Sequence, residues 1–332
     1  MLKNKSVFIF LCCFLFIYGK AYANEINILC DGKNDVSGKL SNLGDVNINF
    51  TEGTCIFSQP LVINSNVSLN GAGNNKTILK APGNLPHDIS FISLGNNEST
   101  KPVRDVSIHN LTLYGQNEEF GFSEHNHLLS LKGAENATIS NNRFLAFQGD
   151  AIYIGRAKVK NKNIQIKNNY FDGLNYKNRN AISIITGGDI DIESNYFYRT
   201  TMRNMPGAID LEPNNGSQHF IQRVNIKNNK FLSIGGKAAI VVSIRHIYNT
   251  KINNITIVDN KIYNTKRGVY VYAKNQNSSS MPHDFNISNN RIIGANIRPL
   301  LVCNIQKVKV ASKDVDFNSY CPLTQRALSL MN

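Results

Sequence analysis

Two acidic residues, Asp210 and Glu212, lie two positions apart in the alternating segment Gly-Ala-Ile-Asp-Leu-Glu. On a β-strand, residues at i and i+2 project from the same face, and their backbones are about 6.6–7 Å apart. That spacing suits a general acid and a general base with a water molecule between them, as in inverting glycosidases. We therefore predict that Asp210 and Glu212 are a catalytic pair, with the proton donor left open. A solvated strand face is the alternative.

The segments before and after this pair align with it. They place Ser183 and Ile185 on one side of the pair and Val241 and Ser243 on the other, so no aligned residue supplies a positive charge. Two neighbouring carboxylates without a counter-ion usually need a substrate, a metal ion or a shared proton. This reasoning favours a functional role for the pair.

Basic and aromatic residues accompany the pair on the flanking connections and on the aligned strands. Long connections at one region of a regular scaffold commonly build binding sites. Tyrosine faces stack on sugar rings, and cations attract acidic substrates. Arg245 extends the outward row of the pair one segment later and is the strongest basic candidate. The predicted substrate-binding residues are Tyr153, Arg203, His219, Arg245, Tyr270, Tyr272 and Lys274. Ordinary surface positions are the alternative for each of them.

The strands that must position these side chains belong to a repeat. Its unit is an aliphatic pair at i and i+2, an Asn-containing pair and a bulky apolar residue, and the second member of the Asn pair recurs at intervals of about 26 to 34 residues. Asn tolerates a left-handed backbone, and its amide can hydrogen-bond to the Asn of the next coil. The six copies span residues 139–144, 166–171, 192–197, 226–231, 257–262 and 287–292.

Each repeat also carries a second strand of the form Ala-Ile-x-Ile, as in residues 181–184. Alternation with a period of two directs its aliphatic residues inward, and successive coils stack such strands in parallel at about 4.8 Å. One coil alone cannot bury its apolar face. The sequence therefore predicts an all-β solenoid of about eight to nine coils.

A second acidic row, Asp189, Asp191 and Glu193, alternates outward on the Asn-bearing strands. Alignment places Glu193 between Lys167 and Lys227, so we expect a structural charge ladder across neighbouring coils. Calcium binding is the alternative for this row.

The first 23 residues have the features of a secretory signal. Lys3 and Lys5 precede an apolar run over residues 7–18, and small residues at 21–23 suit cleavage. A retained membrane anchor is the alternative, although the run is short for a span. We expect a single domain over residues 24–332, with end caps at about 24–60 and 303–332, no membrane span after signal removal, and a secreted or periplasmic location.

Four cysteines remain after signal removal, with Cys30 and Cys55 near one end and Cys303 and Cys321 near the other. Four cysteines allow three connectivities, but a solenoid keeps its two ends far apart. We therefore predict the bridges Cys30–Cys55 and Cys303–Cys321, which would staple the end coils. Such bridges also indicate an oxidising, exported compartment.

The chain is strongly basic, with 36 Lys and Arg against 23 Asp and Glu. Loss of Lys3, Lys5 and Lys20 with the signal changes the net charge from +13 to +10. Such a balance favours acidic partners. Export and the absence of a nucleic-acid motif argue against nucleic acid, so an acidic polysaccharide is the expected partner. A role in solubility alone is the alternative.

Residues 61–73 and 77–80 resemble the first coils of the right-handed parallel β-helix superfamily of pectate lyases, polygalacturonases and phage tailspikes. Residues 180–214 resemble a segment of β-helix proteins from bacterial exopolysaccharide and phage depolymerase systems. The resemblance covers residues 45–305 and implies that the sheet of Ala-Ile-x-Ile strands floors a carbohydrate cleft. It does not imply the reaction. The Asn-Thr-Asp, Asp-Asp and Gly-His-Gly set of polygalacturonases and the Asp-Pro-His-Asp of mannuronan epimerases are absent.

The expected function is hydrolysis of an acidic extracellular or capsular polysaccharide. One alternative is a lyase, in which a base abstracts the proton next to a uronate carboxyl group. The other is a polysaccharide-binding protein without catalysis, in capsule or exopolysaccharide biosynthesis or export. No cofactor and no metal ligands are predicted, except that a lyase could use Ca²⁺.

Overall fold

The fold is described from a computed structural model. The structure describes residues 24–40, 43–155, 158–213, 219–244, 251–273, 282–303 and 305–311. The predicted signal segment and the last 21 residues therefore lie outside the described residues. Among the helices that are described, none is long and apolar enough to cross a membrane.

Three parallel sheets run along the molecule, and each complete coil contributes one strand to each sheet. The eleven-stranded sheet contains β1 (Asn24–Ile28), β3 (Val46–Phe50), β6 (Val67–Gly71), β9 (Val103–His109), β12 (Ala134–Ser140), β15 (Lys162–Lys167), β18 (Gly187–Glu193), β21 (Phe220–Lys227), β24 (Lys251–Val258), β27 (His283–Ser288) and β30 (Gln306–Ala311). The ten-stranded sheet contains β2 (Asp31–Asp35), β4 (Gly53–Ile56), β7 (Thr77–Lys80), β10 (Thr112–Tyr114), β13 (Arg143–Leu145), β16 (Tyr170–Asp172), β19 (Tyr196–Tyr198), β22 (Lys230–Leu232), β25 (Lys261–Thr265) and β28 (Arg291–Ala295).

The nine-stranded sheet carries the Ala-Ile-x-Ile segments. It contains β5 (Leu61–Ile63), β8 (Ile92–Leu94), β11 (Leu129–Leu131), β14 (Ile152–Ile154), β17 (Ile182–Ile184), β20 (Gly207–Leu211), β23 (Ala238–Ile244), β26 (Val269–Ala273) and β29 (Leu300–Cys303). Helical structure in the described residues is confined to α1 (Asn117–Phe120) and one 3₁₀ turn (Ser37–Leu40). The predicted class, an all-β parallel β-helix, is confirmed.

The alignment of the coils is as predicted. Asp210 pairs in register with Ser183 in the coil before and with Val241 in the coil after. On the eleven-stranded sheet, Glu193 pairs with Lys167 on one side and with Lys227 on the other. The residues that the repeat aligned in outward rows are therefore paired in register on adjacent strands of the sheets.

The sequence interpretation gave each coil two strands, whereas the structure has three. The bulky apolar residue that follows the Asn pair is the centre of a short strand in the ten-stranded sheet, as for Phe197 in β19. Four of these residues stack with their rings 4.6–4.9 Å apart and inclined by 8°: Phe144, Phe171, Phe197 and Phe231. A strand of three residues shows too little alternation to be recognised from the sequence alone.

The two members of the Asn-containing pair have different structural roles. The first member takes a left-handed backbone with φ of 55–57°, and it is Asn in four of the six copies, as predicted from the tolerance of Asn for that conformation. The backbone N–H of the second member donates to the side-chain oxygen of its counterpart in the next coil, at 2.9–3.1 Å. These residues form a buried ladder of amides, the asparagine ladder: Asn142, Asn169, Asn195, Asn229, Asn260 and Asn290.

The predicted disulfide at the N-terminal end is confirmed, because Cys30 and Cys55 are bonded with their Cα atoms 4.2 Å apart. Cys55 is fully buried in β4 and Cys30 directly precedes β2, so the bond links the connection before the first strand of the ten-stranded sheet to its second strand. At the other end Cys303 is also disulfide-bonded. Its predicted partner, Cys321, lies outside the described residues.

Candidate functional site

The predicted carboxyl pair lies on the nine-stranded sheet. Ile209 and Leu211 of β20 point into the apolar core, so Asp210 between them and Glu212 after them lie on the outer face. Gly207 begins the strand because a Cβ atom there would lie 2.4 Å from the carbonyl oxygen of Ala238 in the next coil. The outward direction of the pair is as predicted.

The two carboxyl groups differ in their access to solvent. The side chain of Asp210 is completely buried, whereas 18% of the side chain of Glu212 is exposed. The alternative of a solvated strand face therefore does not describe Asp210. One acid lies in the floor of the site and the other lies at its surface.

The expectation that the pair has no local counter-ion is wrong, because Arg179 reaches both carboxyl groups. Its Nη2 atom lies 3.2 Å from Oε2 of Glu212 and 3.9 Å from Oδ2 of Asp210. Arg179 is in the connection that leads into β17, one coil before the pair, and only 11% of its side chain is exposed. The sequence analysis did not identify Arg179, because the alignment compared positions within strands and not the loops between them.

Asp150, which directly precedes β14, anchors the other side of the same guanidinium. Its Oδ2 lies 3.1 Å from Nη1 of Arg179, and its Oδ1 accepts a hydrogen bond from the backbone N–H of Asn180 at 3.1 Å. Burial raises the pKa of Asp150, and the charge of Arg179 offsets part of that rise. Asp150 therefore holds the guanidinium of Arg179 in place through its Nη1 atom.

Burial alone would lower the pKa of Arg179, but the surrounding carboxylates, Asp150 foremost, outweigh it and the pKa lies above the usual value. The guanidinium is therefore permanently charged. A fourth carboxylate, that of the half-exposed Glu124, lies 3.6 Å from Nε of Arg179. The single guanidinium of Arg179 thus lies within 4 Å of four acidic side chains, two of them fully buried. We call Glu124, Asp150, Arg179, Asp210 and Glu212 the arginine cluster.

His127 and Tyr153 border the arginine cluster. Burial lowers the pKa of His127 well below its usual value, and the charge of Arg179 acts in the same direction, so the ring is neutral. Nδ1 of His127 accepts a hydrogen bond from the backbone N–H of Asp150 at 3.1 Å. The rings of His127 and Tyr153 are stacked 4.5 Å apart and inclined by 2°. One face of Tyr153 is therefore covered by protein.

Tyr270 and Tyr272 occupy the predicted outward rows but are not open platforms. They pair in register with Val241 and Ser243, and each is only 7% exposed. Both rings belong to an apolar cluster on the outer face of the nine-stranded sheet, together with Val241, Leu301 and others. The prediction of exposed aromatic faces at these two positions does not hold, because neighbouring apolar side chains cover the rings.

Two of the remaining predicted binding residues lie in described connections next to strands of the site region of the sequence. Arg203 is exposed in the connection before β20, and His219 is buried just before β21. Arg245 and Lys274 lie outside the described residues. The functional candidates that the sequence interpretation missed are Arg179, Asp150, His127 and Glu124. Each lies in a loop before a strand of the nine-stranded sheet. That position, before an Ala-Ile-x-Ile strand, is the sequence feature that could have identified them.

The second acidic row forms the predicted ladder. Nζ of Lys227 lies 3.4 Å from Oε2 of Glu193, and the amide of Asn225 donates to Asp191 at 2.7 Å. Arg223 forms a two-pronged ion pair with Asp189. Because each acid has a partner in the next coil, this row is a structural feature of the eleven-stranded sheet.

No protein-family model matches this sequence, and a search of curated proteins finds no match. The fold is similar to that of solved structures. A polygalacturonase from Erwinia carotovora ssp. carotovora has 13% identity and a TM-score of 0.62, over 90% of this chain and 83% of the other. An exopolygalacturonase from Thermotoga maritima has 12% identity and a TM-score of 0.57, over 90% of this chain and 78% of the other. At these identities the similarity shows the right-handed parallel β-helix fold.

Proposed function

We propose that this protein is an exported glycoside hydrolase that cleaves an acidic polysaccharide, with Asp210 and Glu212 as its carboxyl pair. The observation that carries the proposal is the contact of both carboxyl groups with one guanidinium on the outer face of a β-helix sheet. The arginine cluster has more carboxylates than cations, and it lies on the sheet that would floor the substrate cleft.

Hydrolysis of a glycosidic bond with inversion needs one carboxyl group as acid and one as base, with room for water between them. The two must differ in protonation at the working pH, and different surroundings produce that difference. Asp210 is buried and Glu212 is partly exposed, so their surroundings are distinct. Asp210 lies in β20 and Glu212 directly follows the end of that strand, so their backbones are about 6.6–7 Å apart if the chain stays extended.

Arg179 has a positioning role in this proposal. Its guanidinium holds Glu212 on one edge and Asp150 on the other, which keeps the carboxylate of Glu212 in one orientation. Preorganised groups of this kind stabilise charge that develops in the transition state without reorganising. Asp150 and His127 support the arginine from the floor of the site and do not contact the substrate.

The polymer is proposed to be acidic because the exported chain, without Lys3, Lys5 and Lys20, would carry a net charge of +10. A basic surface concentrates an anionic polymer around the protein, while the acidic cluster acts on the bond to be cleaved. Export fits the disulfide Cys30–Cys55, since such bonds persist in oxidising compartments. The polygalacturonases with a similar fold act on a uronate polymer, which supports a uronate-containing substrate.

The test is an analysis of products from a panel of acidic polysaccharides and neutral glucans. Hydrolysis predicts new reducing ends without an absorbing double bond, and proton NMR of the first products should show inversion at the anomeric carbon. Products that absorb in the near ultraviolet would replace this proposal with a lyase. Tight binding without new ends would replace it with a binding protein in capsule or exopolysaccharide assembly.

A further inference from the structure

Two histidines and an aspartate from distant parts of the chain meet beside the arginine cluster. His87 and Asp88 lie in the connection between β7 and β8, and His125 lies in the connection between β10 and β11. Potential ligand atoms of the three side chains all lie within 4.8 Å of one another. All three are exposed, and the proposed reaction uses none of them.

The spacing of these atoms matches that of metal ligands. With bonds of about 2.0–2.1 Å and tetrahedral angles, neighbouring ligand atoms of a zinc ion lie about 3.3 Å apart. Here Nδ1 of His87 lies 3.1 Å from Oδ2 of Asp88, and Nδ1 of His125 lies 3.4 Å from Oδ1 of Asp88. The two imidazole rings are 4.8 Å apart. The carboxylate of Asp88 therefore lies between the two imidazole nitrogens, with a different oxygen nearest to each and with separations close to those of neighbouring metal ligands.

The two connections are held together by contacts outside the three side chains. The side-chain amide of Asn126 donates to the carbonyl oxygen of Leu85 at 3.0 Å. The backbone N–H of Phe91 donates to the carbonyl oxygen of His127 at 2.9 Å. Asp88 has a left-handed backbone with φ of 65°, a conformation that Asp adopts more readily than most residues. The fold thus brings the ligands together before any ion binds.

We propose that His87, Asp88 and His125 bind one divalent transition-metal ion of the zinc class. Two imidazoles and one carboxylate suit zinc, nickel, cobalt or copper, whereas calcium and magnesium prefer oxygen ligands throughout. Three protein ligands leave a fourth position for water or for an oxygen atom of a bound molecule. His125 follows Glu124, which contacts Arg179, so the ion would also fix one wall of the arginine cluster.

The test is direct metal binding by the chelator-treated, untagged protein. Titration with Zn²⁺ followed by calorimetry should give one equivalent with a micromolar or lower Kd. Titration with Co²⁺ should give the intense visible absorption of a four-coordinate site. Substitutions His87→Ala and His125→Ala should each weaken binding by more than about tenfold, since even the loss of supporting groups around a metal costs that much.

The chain provides a matched control for these variants. His283 and Asp284 form another His–Asp pair, half-exposed, with Nδ1 of His283 2.5 Å from Oδ2 of Asp284, but it does not belong to any metal-like group in the described residues. His283→Ala should therefore leave the affinity and the stoichiometry unchanged. Circular dichroism would show that each variant is folded. A Zn²⁺ affinity that is the same in the wild type and in the double variant H87A/H125A would overturn the proposal, as would a Kd in the millimolar range.

Discussion

The guanidinium of Arg179 lies 3.2 Å from the carboxylate of Glu212, although the two residues are in successive coils and neither lies within a strand. Arg179 enters the nine-stranded sheet at β17, and Glu212 leaves the same sheet after β20. The β-helix therefore joins the beginning of one coil to the end of the next on its outer face. This contact is the centre of the arginine cluster.

Removal of the guanidinium should destabilise the protein. Arg179→Met would leave Asp150 and Asp210 buried without their shared cation, and such a loss typically costs about 3–5 kcal/mol. Arg223→Met is the matched control, because its ion pair with Asp189 is half-exposed and such pairs contribute about 0–1 kcal/mol. Denaturant unfolding should separate the two variants clearly. Equal stability losses would mean that the cluster does not depend on Arg179.

Asp150 should make the stability depend on pH in a defined direction. Its pKa is raised in the folded protein, so the unfolded chain loses the proton first as the pH rises. The contribution of Asp150 to stability is therefore greatest below the ordinary carboxyl pKa and decreases as the pH rises through the folded value. Asn at this position cannot ionise, so Asp150→Asn lacks this pH-dependent contribution to stability.

The measurement is the free energy of unfolding of Asp150→Asn and of the wild type from acidic to neutral pH. The difference between the two should shift in favour of the variant as the pH increases. His127 and Arg179 contact Asp150 and are present in both proteins, so the comparison changes only the group at position 150. A difference that does not change with pH would contradict the prediction.

The asparagine ladder should stabilise the stack of coils. Asn195 accepts hydrogen bonds from the backbone and the side-chain amide of Asn169 and donates to the carbonyl oxygen of Ile166 at 2.9 Å. Asn195→Ala leaves these buried groups unpaired, at a cost of about 1–3 kcal/mol for each. The exposed Asn97 provides the control, since Asn97→Ala should change the thermal midpoint very little. Similar midpoints for both variants would contradict a structural role for the ladder.

The sequence predicts the parts of this molecule that depend on periodicity. The register of Asp210 with Ser183 follows from counting two residues at a time, and the left-handed turn follows from the backbone preference of Asn. The burial of Asp210 does not follow, because it depends on how the loops pack over the sheet. Arg179, Asp150 and His125 also come from loops, whose conformation has no period in the sequence.

Binding to an acidic polysaccharide should weaken markedly as salt is added. The net charge without the predicted signal segment is +10, and surface charges are screened over about 8 Å at physiological ionic strength. Affinity for a uronate-containing polymer can be measured by calorimetry or gel mobility in increasing NaCl, with a neutral glucan as the control. Equal binding of both polymers at high salt would remove the electrostatic argument for an acidic substrate.

The carboxyl pair gives the most decisive prediction. Glu212→Gln and Asp210→Asn preserve volume and most hydrogen bonds, so each variant should fold with an unchanged circular dichroism spectrum. Loss of a general acid or base typically reduces kcat by about 10²–10⁴. Asp191→Asn, on the eleven-stranded sheet and bonded to Asn225, is the matched control and should keep nearly full turnover.

The same two variants also assign the roles within the pair. The variant that lacks the acid should recover much of its rate on a substrate with an activated leaving group, because departure of that group needs no proton. The variant that lacks the base should show no such recovery. Recovery in one of the two variants and not in the other would assign the proton donor. If both variants cleave the polymer at the wild-type rate, the pair is not catalytic, and Tyr153 and Arg245 become the next residues to substitute.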